Sequence, residues 1–135
     1  ALYAGGDVLC GGSPTDADAW EVGIRLPNQP DTVGAVLTVN NAAVASSGTY
    51  RRGDHIWGSP DRRVLGASVV GPHLGMADAL ATAVFAGQDE SFEWISAYPD
   101  YSLVVFTADG QVLWSESLRG SIVVGAETSA PPGDK

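Results

Sequence analysis

Alternation of apolar and polar residues dominates the first half of the chain and is the pattern of half-buried β-strands. The clearest case is 20–26, WEVGIRL, where every second residue is a large apolar one, so one face is buried and the other solvated. Proline and asparagine separate these runs and predict turns at 27–31 and at Asn40–Asn41. By the same criteria, strands are predicted at 2–9, 20–26, 33–39, 42–50, 55–57 and 66–71.

A change of period after residue 74 predicts helices. Residues 75–86, GMADALATAVFA, are rich in strong helix formers and are followed by Gly87, a common helix terminator. A shorter helix is predicted at 89–97, because acidic residues open this segment and suit a helix N-terminus. Beyond it, Asp109–Gly110 predicts a hairpin between strands at 101–107 and 111–115, and SIVVG after Gly120 is a candidate for one more strand.

This order of elements predicts the fold class. Strands, then two helices, then a hairpin are typical of an α+β fold with a mostly antiparallel sheet, one main helix and one short helix. We predict one structural unit over residues 1–120. A flexible tail is predicted at 121–135, because ETSAPPGDK at its end is polar and rich in residues that disfavour regular structure.

The predicted helix at 75–86 has an apolar face and a polar one when plotted at 100° per residue. Met76, Leu80 and Val84 gather on the apolar face, whereas Asp78 and Thr82 lie one turn apart on the opposite side. A carboxylate and a hydroxyl so placed are able to share a hard cation such as Mg²⁺. The alternative is an acid near the positive helix end and a threonine without a special role. Spacing alone leaves both open, since octahedral Mg²⁺ needs further oxygens.

Charge and cysteine content narrow the classes of function. Sixteen acidic residues against seven basic ones give a net charge of −9, which argues against nucleic acid as a partner because that binding needs a basic face. No apolar run approaches the roughly 20 residues of a membrane helix, so no transmembrane segment is expected. Cys10 is the only cysteine, which excludes a disulfide within the chain and a cysteine-based zinc site.

Several segments, taken in order, resemble one enzyme family. AGGDV at 4–8 resembles its N-A-G-G-D-[IV] strand, and AVASSGTY at 43–50 resembles its A-[IV]-[AS]-[TS]-S-G-x-Y strand. WEVGIRLP at 20–27 and the run around ADALATA at 77–83 are similar to two further segments. The chain from residue 2 to about 113 therefore resembles the C-terminal part of the FAD:protein FMN transferases, the ApbE-type flavin transferases.

The resemblance implies a function and a site. Family members bind FAD and Mg²⁺, cleave the pyrophosphate and attach FMN to a threonine or serine hydroxyl of an acceptor protein. Asp78 and Thr82 match metal ligands of the family, and His55 matches a histidine beside its active site. The strand that lines the family's flavin site is matched here by Ser46, Ser47, Gly48 and Tyr50. A polar strand face that binds no ligand would have the same sequence pattern.

Four arginines lie on either side of His55, namely Arg51, Arg52, Arg62 and Arg63. Either they belong to a solvated hairpin, or at least one of them faces the site and offsets pyrophosphate charge. Arg51 and Arg62 are our candidates for the second role.

The sequence also departs from the family pattern. After His55, the family's aspartate is replaced by Gly58, and its Thr-Gly is missing. A D-x-G-G-[IL]-A-K-G segment, which supplies a further metal ligand in the family, is not present. We therefore expect a fragment of a transferase that is inactive alone and prone to self-association. The alternatives are a non-catalytic binding or scaffold module of the same fold, and an FAD pyrophosphatase that yields FMN and AMP.

Overall fold

A five-stranded antiparallel sheet forms the centre of the computed structural model, which describes residues 7–11, 19–26, 29–48, 63–87 and 92–124. The strand order is β1-β4-β5-β6-β7, so β1 and β7 are its outer strands within the described residues. All four pairings are antiparallel. The strands are β1 (Val8–Cys10), β4 (Ala42–Gly48), β5 (Val64–Gly71), β6 (Ser102–Thr107) and β7 (Val112–Trp114).

A second, three-stranded antiparallel sheet packs on one face of the first. It consists of β2 (Trp20–Leu26), β3 (Gln29–Val39) and β8 (Ile122–Val124), in the order β2-β3-β8. Buried side chains from both sheets form one core between them, which includes Leu37, Val44, Val104 and Phe106. Each sheet therefore covers one apolar face of the other, as alternation along strands such as WEVGIRL requires.

The single α-helix of the described residues, α1 (Leu74–Gly87), covers the opposite face of the five-stranded sheet. It packs against β4 and β5, and its buried residues share a second core with Ala45, Ala67 and Val69. The buried residues of α1 are Ala77, Leu80, Ala81 and Val84. The predicted packing of Leu80 and Val84 is confirmed, but that of Met76 is wrong, because its side chain is 43% exposed.

The α+β fold class with mostly antiparallel sheets is confirmed, whereas several element boundaries differ. Gln29–Val39 is one strand, so Pro30 and Asp31, predicted in the turn at 27–31, lie in β3 instead. The predicted second helix at 89–97 is only a four-residue 3-10 helix, Trp94–Ala97, among the residues described there. Residues 55–57, predicted as a strand, lie outside the described residues.

The candidate strand predicted after Gly120 is confirmed. Ile122–Val124 pair with β3 as strand β8, so regular structure continues into the range predicted as a tail from residue 121. Residues 125–135 lie outside the described part of the chain. In the described residues, no helix is long and apolar enough to cross a membrane.

Candidate functional site

Ser46 and Ser47 are adjacent on β4 and therefore project from opposite faces of the five-stranded sheet. Val44, two residues before Ser46, lies in the core between the sheets, whereas Ala45, two residues before Ser47, lies in the core beneath α1. The two serines of the predicted flavin-contacting strand thus belong to different surroundings.

The Ser47 hydroxyl meets helix α1. Its Oγ lies 3.1 Å from the Oγ1 of Thr82, a distance that makes the two hydroxyls a hydrogen-bonded pair. The helix follows β5 after Gly71 and returns across the sheet, which brings Thr82 over β4. Thr82 is exposed and Ser47 is half-buried, so the pair is open to ligand from the solvent side.

Asp78 lies one helical turn before Thr82 and is also exposed. Residues four positions apart on a helix are about 6 Å apart at their Cβ atoms and face the same way. The carboxylate of Asp78 and the hydroxyls of Thr82 and Ser47 therefore border one exposed surface beside α1. We call these three residues the β4–α1 site.

On the other face of β4, a separate polar cluster surrounds Ser46. The Oγ atoms of Ser46 and Ser68 are 2.6 Å apart, and Ser68 is buried. The Asp7 carboxylate accepts a hydrogen bond from the Ser46 backbone N–H, with a donor–acceptor distance of 3.4 Å. These contacts satisfy polar groups in and beside the core between the sheets, as burial requires. Ser46 therefore lies on the face of β4 opposite the β4–α1 site.

The remaining residues of the predicted site belong to or follow the end of β4. Gly48 is the last residue of β4 and pairs with Gly66. The chain leaves the sheet there and returns at Val64, so both ends of the β4–β5 connection lie at the same end of the sheet as Ser47. Four predicted site residues in this connection lie outside the described residues: Tyr50, Arg51, His55 and Arg62.

The donor set of the β4–α1 site fits a hard cation only in part. A carboxylate and two hydroxyls are oxygen donors of the kind that Mg²⁺ accepts. One oxygen from each of the three side chains would fill half of an octahedral shell, so phosphate, water or other protein groups would supply the other ligands. Among residues 7–11, 19–26, 29–48, 63–87 and 92–124, no group of three or more histidine, cysteine, aspartate or glutamate side chains is placed to hold a metal.

Cys10 and Asp109 have altered acidity, and neither belongs to the β4–α1 site. Burial raises the pKa of the Cys10 thiol, which keeps it protonated and disfavours a nucleophilic role. A hydrogen bond from the Thr107 hydroxyl lowers the pKa of Asp109 in the β6–β7 hairpin. Both effects are structural consequences of packing and turn geometry.

Sequence reasoning identified Asp78 and Thr82 as a pair but missed the contact that joins Thr82 to Ser47. The pattern of β4 indicates that Ser46 and Ser47 face opposite ways, and this was available from alternation alone. Which of the two faces α1 depends on where the helix packs. Ser68, the buried partner of Ser46, was also missed, although it interrupts the apolar run of β5.

Comparisons with known proteins give consistent findings. The model of the ApbE family matches residues 1–105. The structure is similar to the crystal structure of the ApbE protein of Thermotoga maritima, with a TM-score of 0.71 and 26% sequence identity. That comparison covers 88% of this chain and 43% of the Thermotoga chain. A search of curated proteins found no significant match.

Two further solved structures come from Vibrio cholerae. The flavin transferase ApbE of that organism is 21% identical, with a TM-score of 0.68, over 87% of this chain and 42% of its own. A variant of the same enzyme with a histidine replaced by glycine is 23% identical, with a TM-score of 0.63, over 88% of this chain and 43% of its own. At these identities the likeness shows the fold. The chain spans less than half the length of each of the three solved relatives.

Proposed function

The chain belongs to the ApbE family, and on this basis we propose that it is part of an Mg²⁺-dependent flavin transferase. The proposed reaction moves FMN from FAD to a threonine or serine hydroxyl of an acceptor protein. The acceptor oxygen forms a bond to the phosphorus next to the flavin, the P–O bond of the pyrophosphate breaks, and AMP leaves with the electron pair of that bond. One solved relative is named a flavin transferase, which supports flavin transfer as the reaction class.

The observation that carries the proposal is the grouping of oxygen donors in the β4–α1 site. Ser47 and Thr82 meet at 3.1 Å, and Asp78 lies one turn away on the same exposed side of α1. In the proposal, Asp78 and Thr82 hold Mg²⁺. When bound, the cation would neutralise charge on the pyrophosphate oxygens as the P–O bond breaks.

The residues beyond the end of β4 have proposed roles in the same reaction. The chain leaves β4 after Gly48 and re-enters the sheet at Val64, and both residues lie at the same end of the sheet as Ser47. His55 would accept the proton of the acceptor hydroxyl, since imidazole titrates near neutral pH. Arg51 and Arg62 would bind phosphate oxygens, and Gly48 and Tyr50 would contact FAD. Ser46 stays a predicted FAD contact; in the structure its hydroxyl pairs with that of Ser68 on the other face of β4.

The Asp78→Ala variant of the intact protein tests the proposal. We expect transfer of FMN to a threonine-bearing acceptor peptide to fall by about 100-fold or more, because loss of a metal ligand removes several kcal/mol of charge stabilisation. The release of AMP, followed by chromatography, should fall in parallel. The affinity for Mg²⁺, measured by calorimetry, should fall as well.

Asp100→Ala is the matched control, since Asp100 is also an exposed aspartate but lies in the turn before β6. That variant should retain full transfer and Mg²⁺ affinity. Unchanged transfer by Asp78→Ala would exclude the proposed metal site. Release of FMN and AMP without a flavinylated acceptor would identify the protein as an FAD pyrophosphatase instead.

A further inference from the structure

We infer that Ser47 is a positioning residue for Thr82. The Ser47 hydroxyl oxygen accepts a hydrogen bond from the Thr82 O–H and so turns the Thr82 oxygen towards the cation. This inference rests on the proposed function, because it assumes that Thr82 is a metal ligand. It assigns Ser47 a role through Thr82, whereas the family resemblance implied that Ser47 contacts flavin. Ser47 is not itself a ligand in this arrangement.

The geometry that supports the inference is the 3.1 Å contact between Ser47 Oγ and Thr82 Oγ1. An exposed threonine on a helix has more than one accessible χ1 rotamer, and its hydroxyl is able to turn back to a carbonyl one turn earlier. A partner fixed on β4 selects one rotamer. Ser47 is well suited to this task, because it belongs to the paired part of β4, opposite Ala67 of β5, and is therefore fixed in the sheet.

The direction of the hydrogen bond follows from the chemistry of a ligating hydroxyl. A threonine oxygen that gives a lone pair to a cation becomes a stronger proton donor, and its O–H must then point away from the cation. Either hydroxyl of the pair is able to donate, so the free site has no fixed direction. In the loaded site Thr82 donates and Ser47 accepts, which leaves a lone pair of Thr82 for the cation. Partners that orient a metal ligand in this way contribute about 10–100-fold to metal affinity.

The test compares Mg²⁺ binding by the intact protein and its variants, measured by isothermal titration calorimetry. We expect Ser47→Ala to weaken Mg²⁺ binding by roughly 10-fold. Ser47→Thr keeps a hydroxyl at this position and should bind Mg²⁺ nearly as well as the unaltered protein. The same titrations with Mn²⁺, followed by electron paramagnetic resonance, give a second readout that does not depend on catalysis.

Ser46→Ala is the matched control. It removes a hydroxyl from the neighbouring residue of the same strand, but on the face that packs against the second sheet. It should lower thermal stability without changing Mg²⁺ affinity. Equal losses of Mg²⁺ affinity in Ser46→Ala and Ser47→Ala would overturn the inference, because they would show a general effect of loosening β4.

A double-mutant cycle with Thr82 separates positioning from direct ligation. If Ser47 acts through Thr82, Ser47→Ala has no further effect on Mg²⁺ affinity once Thr82 is alanine; additive losses would mean that Ser47 acts independently and would overturn the inference. If Ser47→Ala binds normally while Asp78→Ala and Thr82→Ala lose binding, the inference fails and the proposed metal site stands. If neither Asp78→Ala nor Thr82→Ala changes the affinity, the proposed metal site fails, and the inference with it.

Discussion

At the scale of single residues, two glycines differ in the space around them, and this difference determines how their replacement by alanine should change stability. Gly71, at the end of β5, faces the ring of Tyr101, and an added Cβ would overlap that ring. Gly75, near the start of α1, has no atom within 4 Å of the place where a Cβ would stand. Replacement by alanine is therefore expected to change the free energy of unfolding in opposite directions at the two positions.

We expect Gly71→Ala to lower the free energy of unfolding by about 1–3 kcal/mol, because the Tyr101 ring must shift. Gly75→Ala should raise it by about 0.5–1 kcal/mol, since alanine is the better helix former and loses less backbone entropy. Urea denaturation followed by circular dichroism measures both. A neutral Gly71→Ala would mean that the ring moves aside without cost.

The Thr107–Asp109 contact in the β6–β7 hairpin makes a prediction about pH. The hydrogen bond from the Thr107 hydroxyl is the main cause that lowers the pKa of Asp109 from its ordinary value of 3.8. A carboxylate with a lowered pKa in the folded state stabilises the fold above its unfolded pKa. That contribution is lost as pH falls through the folded value. The hairpin should therefore weaken below pH 3.8.

Thr107→Val tests this linkage. Without the hydroxyl, the pKa of Asp109 should rise towards its ordinary value, and the acid dependence of stability below pH 3.8 should flatten. Thr107→Ser keeps the hydroxyl and should leave both unchanged. NMR titration of the Asp109 carboxyl measures the pKa directly. If the pKa is the same in Thr107→Val, another group is responsible for lowering it.

At the scale of elements, α1 positions the β4–α1 site because its apolar side is anchored on β4 and β5. Leu80 is 5% exposed and Met76 is 43% exposed, although the helical wheel placed both on the apolar face. The difference arises because Met76 is in the first turn of α1, whereas Leu80 lies further along it, within the core beneath the helix.

We expect Leu80→Ala to lower the free energy of unfolding by about 2–4 kcal/mol, through lost burial and a cavity under the helix. Met76→Ala should change it by about 0.5 kcal/mol or less, as an exposed position does. Chemical denaturation of the two variants measures the contrast. Comparable losses would contradict the exposure of Met76 in the structure.

At the scale of the whole molecule, net charge and exposed apolar surface affect how this chain alone binds FAD and whether it associates with another surface. Its net charge is −9, which opposes binding of the anionic FAD pyrophosphate unless a cation or further basic groups compensate. β1 is an outer strand within the described residues, and Leu9 on it is 60% exposed. An outer strand with an apolar side chain favours association with another surface.

We therefore expect the 135-residue chain by itself to bind FAD more weakly than micromolar, with or without Mg²⁺, and to show no transfer of FMN. Isothermal titration of the purified chain with FAD measures the affinity, and mass spectrometry of an acceptor peptide measures transfer. Gel filtration at several concentrations reports self-association, which stays a prediction. Micromolar binding of FAD would show that the residues present here suffice to hold it.

The sequence by itself determined the α+β class, the bounds of several elements and the position of Asp78 and Thr82 one turn apart on α1. Strand β2 was predicted at its observed bounds, and α1 within one residue at each end. Local periodicity is sufficient for this, because it reports which side of an element is apolar. The candidate function came from the resemblance of several segments, in the same order along the chain, to one enzyme family.

Only the tertiary structure decided that the strands divide into two packed sheets and that α1 lies on β4 and β5. It therefore decided that Ser47 meets Thr82 while Ser46 meets Ser68. Alternation gives opposite faces to the two serines but does not say which face a helix 35 residues later will cover. That choice depends on the burial of apolar surface between distant elements, and a periodic pattern within one element carries no information about it.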